Sequence, residues 1–190
     1  MSQQIKGAVL KSRLGFVEDT AGKEGVARVL ARMPPDHQRT LRMLFTSNWY
    51  PVGLGHALDA AIVAELGDGS VEVFEHLGAA SADRNLGGVH SGYLAPGEPH
   101  VFLEKAPQIY AMYYETGRRT YEQTGPTGGV LTTYEAPDVN ANDCRTVVGW
   151  YRRALELCGA TEVKVRETEC RARGSAACRY EVSWREDVRT

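Results

Sequence analysis

Three cysteines, Cys144, Cys170 and Cys178, are the residues of this chain best suited to chemistry. Cys170 and Cys178 bracket a short arch, Arg171-Ala172-Arg173-Gly174-Ser175-Ala176-Ala177, between two runs of strand character. Cys144 stands at the start of an expected helix. If helix and arch pack together, three thiols meet. Three thiolates suit zinc, which takes sulfur at roughly 2.3 Å in tetrahedral geometry. The competing reading is three buried thiols acting as small apolar side chains. A third is reactivity: a cysteine in a first helical turn feels the positive end of the dipole, which lowers its pKa. No histidine lies near Cys144 in sequence to serve as its base. Cys158 is a poor fourth ligand: at ~1.5 Å rise per residue it stands about 21 Å beyond Cys144 on the same helix. It shares the apolar face of Val147, Val148, Tyr151 and Leu155 and reads as core.

Other chemistry is thin. His37, His56, His76, His90 and His100 are scattered at spacings that make no metal pair. Gly125-Pro126-Thr127-Gly128-Gly129 lacks the lysine and following helix of a phosphate loop and reads as a hairpin turn. Small-molecule pockets are mostly apolar with a few placed polar groups. Phe74, Tyr93, Phe102, Tyr110 and Tyr113, on expected helices facing a sheet, are therefore the candidate ligand-binding residues.

The elements that must hold these groups follow from periodicity. Leu10, Leu14 and Val17, then Val26, Val29 and Leu30, mark two helices near 6–20 and 23–33, broken at Gly22 and ended by Pro34-Pro35. Asn48-Trp49-Tyr50-Pro51 is an extended connector whose aromatics are expected to plug the core. A helix over 53–66 carries Leu54, Leu58, Ala61, Ile62 and Leu66 on one face. Ser70 then caps a helix beginning at Val71. The next helix runs from Pro99 to about Thr116, kinked at Pro107. Beyond Gly117 the period changes. Arg118–Thr124 and Val130–Ala136 form a hairpin, a helix spans Asn142 to Cys158 with Gly159 as its stop, and Thr161–Cys170 pairs with Cys178–Trp184.

Symmetric closure about Gly174 sets Cys170 opposite Cys178. Val163 and Val165 then fall on the face that Cys170 does not occupy, so a β-bulge is expected between Val165 and Cys170. The order hairpin, helix, hairpin predicts an α+β fold: N-terminal helices packed on one four-stranded antiparallel sheet. At 190 residues the chain fits one domain over 1–190, with a helical part over 1–116 and a sheet part over 117–190.

Bulk properties bound the partners. The formal net charge is −2, and basic residues alternate with acids, as in Arg166-Glu167-Thr168-Glu169. That excludes a main role on nucleic acid, which needs clustered Lys and Arg. No signal-like or membrane-spanning apolar run is present, so the cytoplasm is the expected location, where cysteines serve as thiols or ligands rather than disulfides.

Glu167-Thr168-Glu169-Cys170-Arg171-Ala172-Arg173-Gly174, followed by Cys178-Arg179-Tyr180-Glu181-Val182, resembles the end of a 4-vinyl reductase domain. The preceding stretch from Cys144 through Gly149-Trp150-Tyr151 and Leu155 to Gly159 is similar to the helix which that family places before it. The family belongs with heme-nitric-oxide-binding sensor domains and the small subunits of TRAPP trafficking complexes in one superfamily, and the whole chain resembles a stand-alone myxobacterial branch of it. The match is strong over about 117–184 and one of layout before that.

The resemblance implies a bacterial, non-enzymatic sensor domain that binds a small apolar or aromatic molecule and signals through a protein partner, expected as a homodimer because its relatives often are. It also implies a structural zinc held by three cysteines and one acid. Cys144, Cys170 and Cys178 match those cysteines in spacing; the acid would fall near Tyr121, with Glu122 on the opposite face of its strand. Heme is not expected, because the tyrosine-serine-arginine motif of the heme-binding relatives is absent and Tyr180-Glu181-Val182-Ser183-Trp184-Arg185 is off register. The alternative is a TRAPP-like interaction or scaffold module without a soluble ligand. An enzyme of tetrapyrrole reduction is the third reading, and no acid/base pair or cofactor loop supports it.

Overall fold

The computed structural model describes residues 3–88 and 90–185; both ends of the expected 1–190 span lie outside them. Along the chain run β1 (Gln4–Lys6), α1 (Gly7–Ala31), α2 (Pro35–Arg42), β2 (Trp49–Pro51), α3 (Val52–Leu66), α4 (Val73–Leu86), α5 (Pro99–Glu104), α6 (Ala106–Tyr113), β3 (Arg118–Gly125), β4 (Gly128–Tyr134), α7 (Ala141–Leu157), β5 (Thr161–Glu169) and β6 (Cys178–Arg185). The fold is α+β, with the helices packed on a four-stranded antiparallel sheet of order β3-β4-β6-β5 and α7 between its two hairpins.

Two helices, α1 and α7, break or stop where the sequence supplies a reason, whereas α2 (Pro35–Arg42) was not expected. Gly22 breaks α1 with φ +68, ψ −175, a conformation open to glycine and costly to other residues. Asn140 caps α7, its side chain accepting the Asp143 N–H at 2.8 Å, and Gly159 (φ +91) ends that helix.

Three expectations are corrected. The helix over Pro99–Thr116 is two helices: the chain turns at Lys105, and Pro107 lies in the first turn of α6, where its missing N–H costs nothing. It ends at Tyr113 because Tyr114 is extended and bridges to Ile5. The helix expected from Val71 begins at Val73, while Ser70 Oγ accepts the Glu72 N–H at 3.2 Å. Of the connector's two aromatics, Tyr50 packs partly buried against the helical core, whereas Trp49 does not plug it. The connector pairs with β1 as a two-stranded ribbon, Trp49 is 37% exposed under the Lys6 ammonium, and the half-buried Tyr50 accepts the Phe45 N–H with its hydroxyl.

Two apolar clusters result. One lies among α1, α2, α3 and the start of α4, around Leu10, Val17, Leu58, Ile62, Phe74 and Leu77. The other fills the space between the sheet and α5, α6 and α7, around Phe102, Leu131, Tyr151, Leu155 and Tyr180. The second is held against α4 by an unusually close helix pair. A Cβ on Gly149 would meet the Glu75 carbonyl oxygen at 1.9 Å, and one on Gly78 would meet that of Thr146 at 2.2 Å. Glu75 seals the pair by accepting from Arg145 and Arg152, each at 3.1 Å.

The bulge appears where the alternation required it. Val165 pairs Val182 and Glu167 pairs Tyr180, but Glu169 pairs Arg179, so the register slips at Thr168. Cys170 itself stands outside the ladder, ahead of the 3-10 turn Arg171–Arg173, and so does not pair with Cys178 as symmetric closure would have it.

Candidate metal centre and ligand cavity

The sheet register sets two rows of inward side chains. Arg119, Thr133 and Cys178 lie side by side across β3, β4 and β6; Tyr121, Leu131, Tyr180 and Glu167 form the next row across all four strands. Helix α7 brings Cys144, in its first turn, down onto the first row, while the bulge turns Cys170 inward. The three thiols therefore meet: Cys144 Sγ lies 3.4 Å from Cys170 Sγ and 3.7 Å from Cys178 Sγ, and all three residues are buried. Their ligand atoms all lie within 4.8 Å of one another, a group that could hold a metal ion. Cys158 is buried elsewhere in the sheet-side core and takes no part.

The acid beside the thiols is Glu167, not a residue near Tyr121. Its side chain is 6% exposed; Oε2 accepts from Arg173 at 2.8 Å, whereas Oε1 is buried without a hydrogen-bond partner. A buried carboxylate oxygen left unpaired is costly, and a cation among the thiols would answer it. The slip at Thr168 explains the placement. Glu167 is in phase with Val163 and Val165, and the extra residue brings Cys170 back to that same face. Tyr121 is instead turned toward His100, whose Nδ1 lies 2.6 Å from its hydroxyl.

The thiols are electrostatically unequal. Cys178 is pushed down to about 6, first by hydrogen bonding from Cys144 and then by the Arg171 N–H, 3.4 Å from its sulfur. Cys144 is pushed up by that same contact and by burial. Burial, and after it the Glu167 carboxylate, holds Cys170 up as well. A thiolate beside thiols and a carboxylate suits a soft divalent cation, which displaces the remaining protons on binding.

Beside this cluster, between α1, α4, α6, α7 and β3, lies an interior cavity of about 70 Å³. Val9, Ile109, Tyr110, Tyr113, Val147 and Trp150 give it an apolar and aromatic wall, and Arg13, Ser81, Asn85 and Arg119 add polar groups. A smaller lobe of about 30 Å³ shares Tyr110, Tyr114, Arg119 and Val147 and reaches Cys144, Cys178 and Tyr180. Of the five aromatics expected to bind a ligand, Tyr110 and Tyr113 line the cavity. Phe74 is buried in the helical core, Phe102 stacks on Trp150 with ring centroids 6.1 Å apart, and Tyr93 packs edge-on to His90. Arg119, Trp150 and Glu167 escaped the sequence reading. The signals were faint: Arg119 is in phase with the inward Tyr121, and Trp150 is one helical turn beyond Thr146 and Val147.

The buried charges of the cavity wall differ in how they are paired. Arg13 Nε donates to Asp59 Oδ1 at 2.6 Å, and Nη2 donates to Asp59 Oδ2 at 3.2 Å and to Asp143 Oδ1 at 3.0 Å. His56 Nε2 lies 3.4 Å from the other Asp143 oxygen, which holds its pKa above the ordinary value. Arg119 donates from Nε to Thr133 Oγ1 at 2.9 Å and from Nη1 to the Tyr151 hydroxyl at 3.3 Å, and it makes no ion pair among the described residues.

Comparison with known proteins places this architecture. The family described as "Protein of unknown function (DUF2378)" matches residues 56–185. The chain belongs to that family. No curated protein matches it in sequence. Solved structures do match in fold. An iron(II) unliganded H-NOX protein mutant from K. algicida superimposes with a TM-score of 0.73 at 11% identity, over 96% of this chain and 98% of that one. An H-NOX protein from S. oneidensis in its Fe(II)NO state gives 0.71 at 11%, over 95% and 99%. An oxygen-binding H-NOX domain related to soluble guanylate cyclases gives 0.69 at 12%, over 95% of both chains.

The likeness is one of fold, and the cavity beside the thiols does not fit a heme. The cavity of about 70 Å³ falls far short of the ~300–1,000 Å³ typical of drug-sized ligand pockets. No histidine is among its described lining residues. His90 lines an outer groove instead, set edge-on to Tyr93 and Tyr113. No helix among the described residues is long and apolar enough to cross a membrane.

Proposed function

We propose that this chain is a non-enzymatic sensor of the vinyl-reductase-like kind: a domain that takes a compact apolar or aromatic molecule into its interior cavity and reports occupancy to a protein partner or a second copy of itself. The observation that carries this reading is the cavity. Apolar and ring surfaces surround a few convergent polar groups inside an H-NOX-like fold, the composition expected of a small-molecule site. Cys144, Cys170, Cys178 and Glu167 act as a structural zinc site. The ion would join the first turn of α7 to the β5–β6 hairpin, and its chemistry there is coordination alone. Tyr180 packs beside Cys144 and lines the smaller lobe, so the staple supports the sheet-side wall of the cavity.

Two measurements test this. Ligand-observed NMR with single-ring fragments should show binding that Val147→Trp, which fills the cavity, abolishes. Binding unaffected by that substitution, or no binding by any fragment, overturns the reading. Elemental analysis of protein purified without chelators should give about one zinc per chain in wild type and little in Cys170→Ser. Equal and negligible zinc in both removes the metal.

A further inference from the structure

We infer that the molecule taken by the interior cavity is a compact organic anion, an aromatic or short aliphatic carboxylate held by Arg119. This deepens the proposed function and rests on it. Arg119 is 8% exposed, and a buried charge is tolerated when it is paired. Its contacts supply hydroxyl oxygens, at Thr133 and Tyr151, and ring faces, with the guanidinium carbon 5.1, 5.4 and 6.0 Å from the ring centres of Tyr110, Tyr151 and Tyr180. All of these orient the guanidinium; none brings a negative charge. Asp143, which lines the smaller lobe, is spent elsewhere: one oxygen takes Arg13 at 3.0 Å and the other faces His56 at 3.4 Å.

The remaining donors settle the ligand class. The Arg119 hydrogen bonds to protein among the described residues are those from Nε and Nη1, and the side chain lines both lobes. A guanidinium edge beside an apolar, ring-lined space matches a planar carboxylate with a hydrocarbon body. A highly charged, strongly hydrated phosphate would waste the apolar wall.

The approach to the cavity carries the same sign. Ser12, Asn85 and Tyr113 line both the cavity and an outer groove of about 840 Å³, and so separate the two. Lys6, Lys11 and Arg84 are among the described residues of the groove, and no acid is. Arg84 is bound to Asp19, outside that lining. In a protein of net charge −2, a groove whose described lining carries cations and no acid, leading to a cavity where Arg119 has no ion pair among the described residues, attracts anions.

The test is calorimetric titration of the full chain with benzoate and with its neutral isostere benzamide, at fixed ionic strength. Wild type should bind benzoate at least tenfold more tightly. Arg119→Gln should bring the two within about twofold, and Arg119→Lys should keep part of the preference. On wild-type protein, the Arg119 Nε–H resonance should shift on addition of benzoate and not of benzamide, a reading that does not depend on any variant folding. Equal affinity for both probes in wild type overturns the anion and leaves a neutral-ligand sensor. Preference for benzoate that survives intact in Arg119→Gln moves the anion site elsewhere and overturns the assignment. Failure of both probes to bind overturns the cavity as a site and the proposed function with it.

Discussion

Arg13 and Arg119 face one cavity, the first from the helical wall and the second from the sheet wall, at the same depth and with opposite balance. Arg13 lies between two carboxylates, Asp59 and Asp143; its cost of burial is met inside the fold. Arg119 has hydroxyls and rings only. The sheet wall also gathers three thiols, with the Glu167 oxygen Oε1 buried and unpaired near them. On the helical wall the arginine's charge is balanced by carboxylates of the same fold. On the proposed reading the sheet wall holds one site for an anion and one for a cation, and that asymmetry would tell structural charge from functional charge where residue type does not.

The largest effect should come from breaking the helical wall. Asp59→Asn leaves Arg13 buried with half its pairing and should cost about 3–5 kcal/mol in urea denaturation. Removing zinc by chelation should follow, lowering Tm by about 10 °C in wild type and by nothing in Cys170→Ser. Arg119→Met, which removes an uncompensated charge from the ligand-free protein, should change stability by no more than about 1 kcal/mol, with a gain as acceptable as a loss. If it costs as much as Asp59→Asn, the two arginines do the same job and the contrast fails.

The smallest effect concerns His56, at the solvent edge of the helical wall. The Asp143 carboxylate, 3.4 Å from Nε2, raises its pKa above the unfolded value. Its stabilisation is therefore fully present below about pH 6.5 and is lost as pH rises through the higher folded value. The Tm advantage of wild type over His56→Gln should be greatest near pH 6 and should fade toward pH 8.5, corresponding to a fraction of ~1 kcal/mol.

The asymmetry of the walls was only half legible in the sequence. Strand alternation read with the Val163, Val165 and Cys170 phases was enough to place the bulge, while the meeting of the thiols was expected only if helix and arch packed together and the expected pairing of Cys170 with Cys178 does not form. The same phases pointed to Glu167, but the family pattern drew attention to Tyr121. A carboxylate three residues before a cysteine changes face through a bulge, and no period-of-two reading shows which strand position absorbs the extra residue. Arg119 was illegible for another reason. An arginine at a strand end is ordinarily exposed, and its burial here depends on Tyr110, Tyr151 and Tyr180 arriving from α6, α7 and β6. The helix boundaries were easy where glycine or proline acted locally, as at Gly22 and Gly159. They failed at Tyr114, where pairing with the distant Ile5 overrode local preference.

The contact of Gly78 and Gly149 leaves no room for a methyl group between α4 and α7. Mechanically, the pair is one stiff beam: neither helix can slide or roll on the other without separating first. Ser81 and Asn85 of one member and Thr146, Val147 and Trp150 of the other all border the cavity. A guest pressing on any of them loads both members together.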